Sequence, residues 1–194
     1  WGYATAGVEA PKLFEAIASL ASKKIAKFDA PDLANTLWAF AKLRVAAPEL
    51  FEAAAAEAPL KMAAFTSEEL AKTVWAYAAA GVAAPALFEA VAVESSKRIA
   101  TFTPQALTTT VWAYATAGVA APALFEVVAA EALEKMAAFT PQAMANTVWA
   151  YATAGVTAPA LFEAAAAESS KKIATFNAQG LANTAWAYAT ADVV

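Results

Sequence analysis

Hydrogen-bonding side chains recur in a fixed register along this chain, at intervals of 37 residues. The first position holds Asn35, Lys72, Thr109, Asn146 and Asn183, and the second, seven residues later in its repeat, holds Thr5, Lys42, Thr116 and Thr153. Amides and hydroxyls both donate and accept hydrogen bonds, so these groups could bind the edges of unpaired bases. They could equally bond to adjacent loops or to the neighbouring repeat.

Catalytic and metal chemistry is poorly represented in the sequence. The chain has no Cys and no His, which excludes thiol nucleophiles, disulfides, the usual haem and zinc ligand sets and a His general base. No glycine-rich phosphate loop is present, and the Glu residues recur once or twice in every period, unlike a catalytic pair. We therefore expect a non-catalytic protein without a cofactor.

The charge balance limits how nucleic acid could bind. The 194 residues include 13 Lys and Arg against 17 Asp and Glu, a net charge of −4. Electrostatically driven nucleic-acid binders usually carry a basic excess, so any such role must rest on a local surface. No signal or transit peptide is apparent, and the sequence could be a piece of a longer, processed chain.

Long uncharged stretches raise the question of a membrane span. Residues 99–125 and 136–162 contain no charged side chain. However, Pro104, Gly118 and Pro122 interrupt the first stretch, and the second is punctuated in the same way. The helices that remain are shorter than the roughly 20 residues that a span requires, so we expect no membrane-spanning helix.

The polar rows belong to a repeat that covers the whole sequence. Tryptophan marks the phase at Trp1, Trp38, Trp75, Trp112, Trp149 and Trp186, and each Leu-Phe-Glu triplet follows the same step. Each period predicts two helices. Helix A starts after a capping residue (Asp29, Thr66, Thr103, Thr140 or Asn177) and stops at Gly81, Gly118 or Gly155, with weaker stops at Arg44 and Asp192.

Helix B starts near each Ala-Ala-Pro step and is expected to run about 17 residues, as over residues 85–101. Acid-first pairs four residues apart, such as Glu94/Arg98, stabilise such a helix, and Thr66 with Glu69 could form a capping box. The equivalent pairs are Glu57/Lys61, Glu131/Lys135 and Glu168/Lys172. Most of the charge thus has a structural explanation.

One helical hairpin cannot bury its apolar stripe alone, whereas stacked hairpins bury a continuous core. The sequence therefore predicts an all-α solenoid superhelix of about five 37-residue, two-helix repeats across residues 1–194, right-handed by analogy with other helical repeats. Within helix A, Leu33, Leu37 and Ala41 should face the core, and we expect the Trp row to belong to the core rather than to a stacking platform. The array should continue beyond these residues, or a partner should cover its ends.

Helix A has a familiar motif. Residues 33–43 (LANTLWAFAKL), residues 141–150 (PQAMANTVWA) and residues 102–105 (FTPQ) resemble the signature helix of octotricopeptide repeats, a family with many members in algal organelles, and of the related heptatricopeptide repeats. The resemblance implies an α-solenoid that binds single-stranded RNA in chloroplasts or mitochondria and supports transcript stability, splicing, processing or translation. The RNA-facing positions it implies are Asn35, Lys72, Thr109, Asn146 and Asn183, with Thr5, Lys42, Thr116 and Thr153 beside them, and Gln105, Gln142 and Gln179 lie one turn earlier on the same side.

A second hypothesis accounts better for the acidic balance and the uniform repeats. The chain could be a protein-binding scaffold or linker subunit of a large organellar assembly, such as a photosynthetic complex or a ribosome. A positive stripe along helix A would favour RNA, whereas an apolar or acidic face would favour protein. A structural array without a ligand is a third hypothesis.

Overall fold

The computed structural model describes residues 10–191 and is helical throughout, with no β-strand in this range. The A helices are α2 (Ala30–Leu43), α4 (Ser67–Ala80), α6 (Pro104–Ala117), α8 (Pro141–Ala154) and α10 (Ala178–Thr190). The B helices are α1 (Pro11–Lys24), α3 (Pro48–Glu57), α5 (Pro85–Lys97), α7 (Pro122–Lys135) and α9 (Pro159–Lys172). Trp1, Thr5 and Asp192 lie outside the described residues.

The helices stack as an α-solenoid, as the repeat predicts. Each A helix packs along the A helix of the next repeat, and these contacts are the most extensive in the molecule. Neighbouring B helices form a second, less tightly packed row. One continuous hydrophobic core runs between the two rows and includes Leu33, Leu37 and Ala41, as expected. Alanine is abundant in this core, and its small side chain allows the A helices to approach closely.

The starts of the A helices follow the predicted capping chemistry. The side chains of Thr103, Thr140 and Asn177 each accept a hydrogen bond from the backbone N–H three residues later. Thr66 and Glu69 form the predicted reciprocal capping box, and Asp29 with Asp32 forms a second one. A capping side chain satisfies an N–H group that has no partner within the helix, so each A helix begins at a defined residue.

The B helices are shorter than expected. Helix α5 ends at Lys97, and a 3₁₀ turn at Ile99–Thr101 follows it instead of further α-helix. Tighter hydrogen bonds, including Phe102 N–H to Ile99 carbonyl at 2.9 Å, draw the chain inward and bury Phe102 in the core. A 3₁₀ segment also follows each of the other four B helices in the described range.

The turns after the B helices are joined to the next repeat by one cation per repeat. Lys135 Nζ donates to the carbonyls of Ala100 and Phe102, at 2.8 and 2.7 Å, while Glu131 holds its ammonium at 2.9 Å. We call these residues the inter-repeat cations: Lys61, Arg98, Lys135 and Lys172. The Glu partner predicted for each of them lies within ion-pair distance.

A buried tyrosine joins the two helix rows. Tyr151 of α8 donates to the Phe125 carbonyl of α7 at 2.6 Å, and the two rings meet edge to face at 4.9 Å. Tyr77, Tyr114 and Tyr188 repeat this contact. Burial raises the pKa of Tyr188 to about 12, so its hydroxyl stays protonated and remains a donor at neutral pH. No helix within residues 10–191 combines the length and hydropathy needed to cross a membrane.

The residue that ends α2 has a strained backbone conformation, and a substitution there can relieve the strain. Arg44 occupies the left-handed region at φ 55°, where Gly81, Gly118 and Gly155 close the equivalent helices. Because a Cβ disfavours this conformation, we expect Arg44→Gly to raise the free energy of unfolding by about 1 kcal/mol. Gly118→Ala should lower it by a similar amount, since its added methyl meets no atom within 4 Å and only the backbone conformation is penalised. Chemical denaturation of both variants checks this, and equal effects of the same sign would contradict it.

The inter-repeat cations should stabilise the array more than surface ion pairs do. Lys135→Met removes a charged donor from two carbonyls and should cost about 1.5–3 kcal/mol. Lys97→Met is the matched control, because Lys97 is 63% exposed and contacts only Glu94. Its loss should cost less than about 0.5 kcal/mol. Similar destabilisation by the two substitutions, measured by urea unfolding, would argue against a special role of the carbonyl contacts.

Acid should weaken the last described B helix through Glu168. Lys171 and Lys172 hydrogen-bond the Glu168 carboxylate and hold its pKa below its ordinary value of about 4.5. Its contribution to stability is therefore complete above about pH 4.5 and is lost as the pH falls through the lowered pKa of the folded state. Thermal unfolding between pH 6 and pH 3 should show a smaller acid-induced loss in Glu168→Gln than in the parent. Superimposable pH profiles would contradict this assignment.

Candidate functional site

A groove runs across the exposed side of the A helices. Its first part, of about 340 Å³, extends from Trp38 to Thr109, and its second part, of about 560 Å³, extends from Trp75 to Asn183. Both parts are lined by Trp75, Gln105 and Thr109, so they adjoin. We call the combined depression the A-face groove. Four successive A helices, α4 to α10, contribute to its walls, together with Trp38 of α2.

Most of the sequence-predicted site residues line this groove. They are Lys72, Thr109, Thr116, Asn146 and Asn183, together with Gln105, Gln142 and Gln179. Asn35 does not line it directly, but its side-chain oxygen accepts a hydrogen bond from Lys72 Nζ at 2.9 Å. The structure thus brings together groups that are far apart in the chain.

Two predicted residues lie elsewhere. Lys42 is exposed near the end of α2 and lines neither part of the groove. Thr153 lines a separate depression beside Gly118 and Val119, where the A helices end and the loops to the B helices begin. Both residues lie seven residues after the first polar position, although Thr116, at the equivalent position of α6, does line the groove.

The tryptophans meet the expectation of a core position only in part, since Trp75, Trp112 and Trp149 pack against the hydrophobic core from its edge. Trp75, Trp112 and Trp149 are only half-buried and line the groove. Trp149 and Trp186 lie with ring centroids 6.5 Å apart at an angle of 37°, as do Trp38 and Trp75 at 35°. Because each Trp follows the polar position by three residues, its ring reaches the same side of the helix. This three-residue spacing is visible in the sequence and indicates that the rings lie on the same side as the polar groups.

Hydrogen bonds differ along the groove. Near its middle, Gln105 Nε2 donates to Thr109 Oγ1 at 3.1 Å, and below them the buried hydroxyls of Thr108 and Thr147 lie 3.0 Å apart. The Thr pair joins α6 to α8 and fixes the floor. The Lys72–Asn35 bond joins α4 to α2, so bonding to the neighbouring repeat is one use of these positions, whereas the Gln105–Thr109 bond lies within α6.

The groove is almost uncharged. Helices α6, α8 and α10 contain no charged residue, and Glu68 and Lys72 of α4 are the charged residues among those lining the groove. Within residues 10–191 no cluster of acidic side chains is suited to hold a metal ion. The arrangement can therefore supply hydrogen bonds from amides and hydroxyls, and flat surfaces for stacking, with little long-range electrostatic attraction.

A family model described as RNA-editing substrate-binding complex 6 protein matches residues 1–117 and residues 61–193. Together the two matches cover nearly the whole chain. The chain belongs to the RNA-editing substrate-binding complex 6 protein family. A comparison with curated proteins gave no match.

Membership in the RNA-editing substrate-binding complex 6 protein family agrees in part with the resemblance seen in the sequence. It supports a helical-repeat family associated with RNA. It does not extend to octotricopeptide or heptatricopeptide repeats in particular, or to algal organelles. The overlap between the two matches is what a repeated chain gives, because one segment can align with more than one part of the family model.

Proposed function

We propose that this chain is a non-enzymatic module that binds single-stranded RNA in the A-face groove. The observation that carries the proposal is the combination of Trp rings with amide and hydroxyl groups from successive repeats in one groove. Proteins that recognise single-stranded RNA stack bases on aromatic side chains and hydrogen-bond the base edges. Membership in a family named for an RNA-editing complex supports the same assignment.

The neutral groove implies an unusual balance of forces for an RNA-binding protein. Lys72 is the cation that lines it, whereas Lys42 lies near the end of α2 and the inter-repeat cations lie at the ends of the B helices or in the segments that follow them. Affinity should thus come from stacking and hydrogen bonds more than from phosphate neutralisation. An octotricopeptide-like role in transcript stability, processing or translation, in a chloroplast or another organelle, is the finer form of the proposal and rests on the resemblance of helix A alone.

A protein scaffold is the second candidate, and the absence of charge on α6, α8 and α10 favours it. A neutral face with half-buried aromatic rings is also suited to a protein partner. In that case the chain would occupy a place in a large RNA-associated or organellar assembly without touching RNA. The two candidates differ in one measurable property, which is direct RNA binding by the purified chain.

Fluorescence anisotropy with labelled single-stranded RNA tests the proposal. Because few phosphates are neutralised, log Kd should change with log salt by a slope of about 1.4 or less, and Lys72→Ala should lower that slope by about 0.7. Asn146→Ala should weaken binding about fivefold or more, since one base contact is lost. Thr157→Ala, an exposed change in the loop before α9, should leave the affinity unchanged.

Two results would contradict the RNA assignment. Absence of binding even at low salt would favour the protein scaffold. A steep dependence of log Kd on log salt, together with an affinity that Asn146→Ala leaves unchanged, would place the RNA on the charged B helices instead of in the A-face groove. Circular dichroism of each variant separates loss of binding from loss of fold.

A further inference from the structure

Each A helix carries two equivalent positions four residues apart, which line the A-face groove on α4, α6, α8 and α10, and their chemistry changes along the array. We call them the groove pair: Pro31/Asn35, Glu68/Lys72, Gln105/Thr109, Gln142/Asn146 and Gln179/Asn183. Residues four apart on a helix lie one above the other on the same face. The core residues around the pairs hardly vary, whereas the pairs themselves change from charged to hydroxyl and amide side chains.

The pairs also differ in whether their hydrogen-bonding groups are already used. Lys72 donates to Asn35, and Gln105 donates to Thr109. Within residues 10–191, the side chains of Gln142, Asn146, Gln179 and Asn183 form no hydrogen bond with protein groups. Asn146 and Asn183 are half-buried at the base of the groove, and Gln142 and Gln179 are exposed above them. Two successive repeats therefore offer amide groups that are open to a ligand.

Side-chain amides are suited to adenine, whereas guanine and cytosine are bound best by charged side chains. An Asn or Gln amide pairs with adenine in two bonds, accepting from its amino group and donating to the neighbouring ring nitrogen. The favoured partners of guanine are Arg and Lys, and those of cytosine are Glu and Asp. Helices α8 and α10 contain none of these four residues, whereas the pair on α4 consists of Glu68 and Lys72.

We propose that the amide pairs Gln142/Asn146 and Gln179/Asn183 form two successive adenine-selective sites, and that the Glu68/Lys72 pair accepts a different base. Trp149, which lines the groove together with both amide pairs, supplies a face on which the bases stack. The inference rests on the proposed function, because it names the RNA bases that the same groove selects. The preferred ligand is a single-stranded RNA with two adjacent adenosines.

Labelled uridine octamers test this without any mutation. One octamer is all uridine, and the others carry two adjacent adenosines, cytidines or guanosines at the centre. The adenosine octamer should bind about a hundredfold more tightly than the other three, since each of its two adenines should gain about tenfold from a bidentate pair. Equal affinity for all four octamers would overturn the adenine assignment while leaving RNA binding intact. Failure of all four to bind would overturn the proposed function itself.

Exchanging groove pairs tests the residues. Gln142→Glu/Asn146→Lys places the α4 pair on α8, and the equivalent backbone already accommodates these residues two repeats away. The adenosine octamer should lose about tenfold in affinity and the preference over cytidine and guanosine should fall with it. Ala166→Glu/Ser170→Lys adds the same two charges to the exposed side of α9 and should change neither value. If the adenosine preference survives both the exchange on α8 and a second exchange at Gln179 and Asn183, other residues set that preference.

Discussion

The contact between each inter-repeat cation and the preceding turn is the interaction on which the rest of the solenoid depends. The 3₁₀ segment after a B helix leaves carbonyls without partners, as helix ends generally do. Lys61, Lys135 and Lys172 each donate to two of these carbonyls. Arg98 donates to Phe65, the equivalent of Phe28, and to Met62, one residue before the other equivalent position. The Glu one turn earlier in the same helix neutralises the cation and holds its direction. Each contact joins residues about one repeat apart, so it fixes the distance and rotation between successive B helices.

The spacing of the B helices carries through to the A-face groove. In α4, α6, α8 and α10 a Tyr hydroxyl bonds to the Phe carbonyl of the B helix before it, so the A row follows the B row. Alanine and threonine at the A–A contacts, such as Ala150 and Thr147, then allow the groove positions of adjacent repeats to come close. For example, Lys72 of α4 donates a hydrogen bond of 2.9 Å to Asn35 of α2. The cations that join the repeats thus lie at the ends of the B helices or just beyond them, whereas α6, α8 and α10 present only neutral groups.

Interactions between residues close in sequence could be predicted, and those between repeats could not. The Thr66–Glu69 capping box, the stops at Gly81, Gly118 and Gly155 and the Glu–Lys pairs four residues apart all follow from local spacing. The carbonyl partners of Lys135 could not be found in this way, because they lie 33 and 35 residues earlier and depend on a 3₁₀ turn that helical periodicity does not reveal. The partial exposure of the Trp rings could not be predicted for a related reason. Helical spacing places Trp149 at the edge of the apolar stripe, and only the packing of α8 between α6 and α10 decides which part of the ring remains exposed.

Near-identity of the repeats is compatible with selective recognition because stability and recognition use different residues. Phe125, Tyr151 and their equivalents maintain the stack, so they tolerate little change between repeats. The groove pairs contribute little to that packing: Gln142 and Gln179 are exposed, and a charged, a hydroxyl or an amide residue at the second position leaves the helix intact. An array of this kind can therefore change its ligand through two positions per repeat while its core remains constant. The weak charge of the groove also favours selective recognition. Without strong phosphate attraction, the differences between bases form a larger share of the binding free energy.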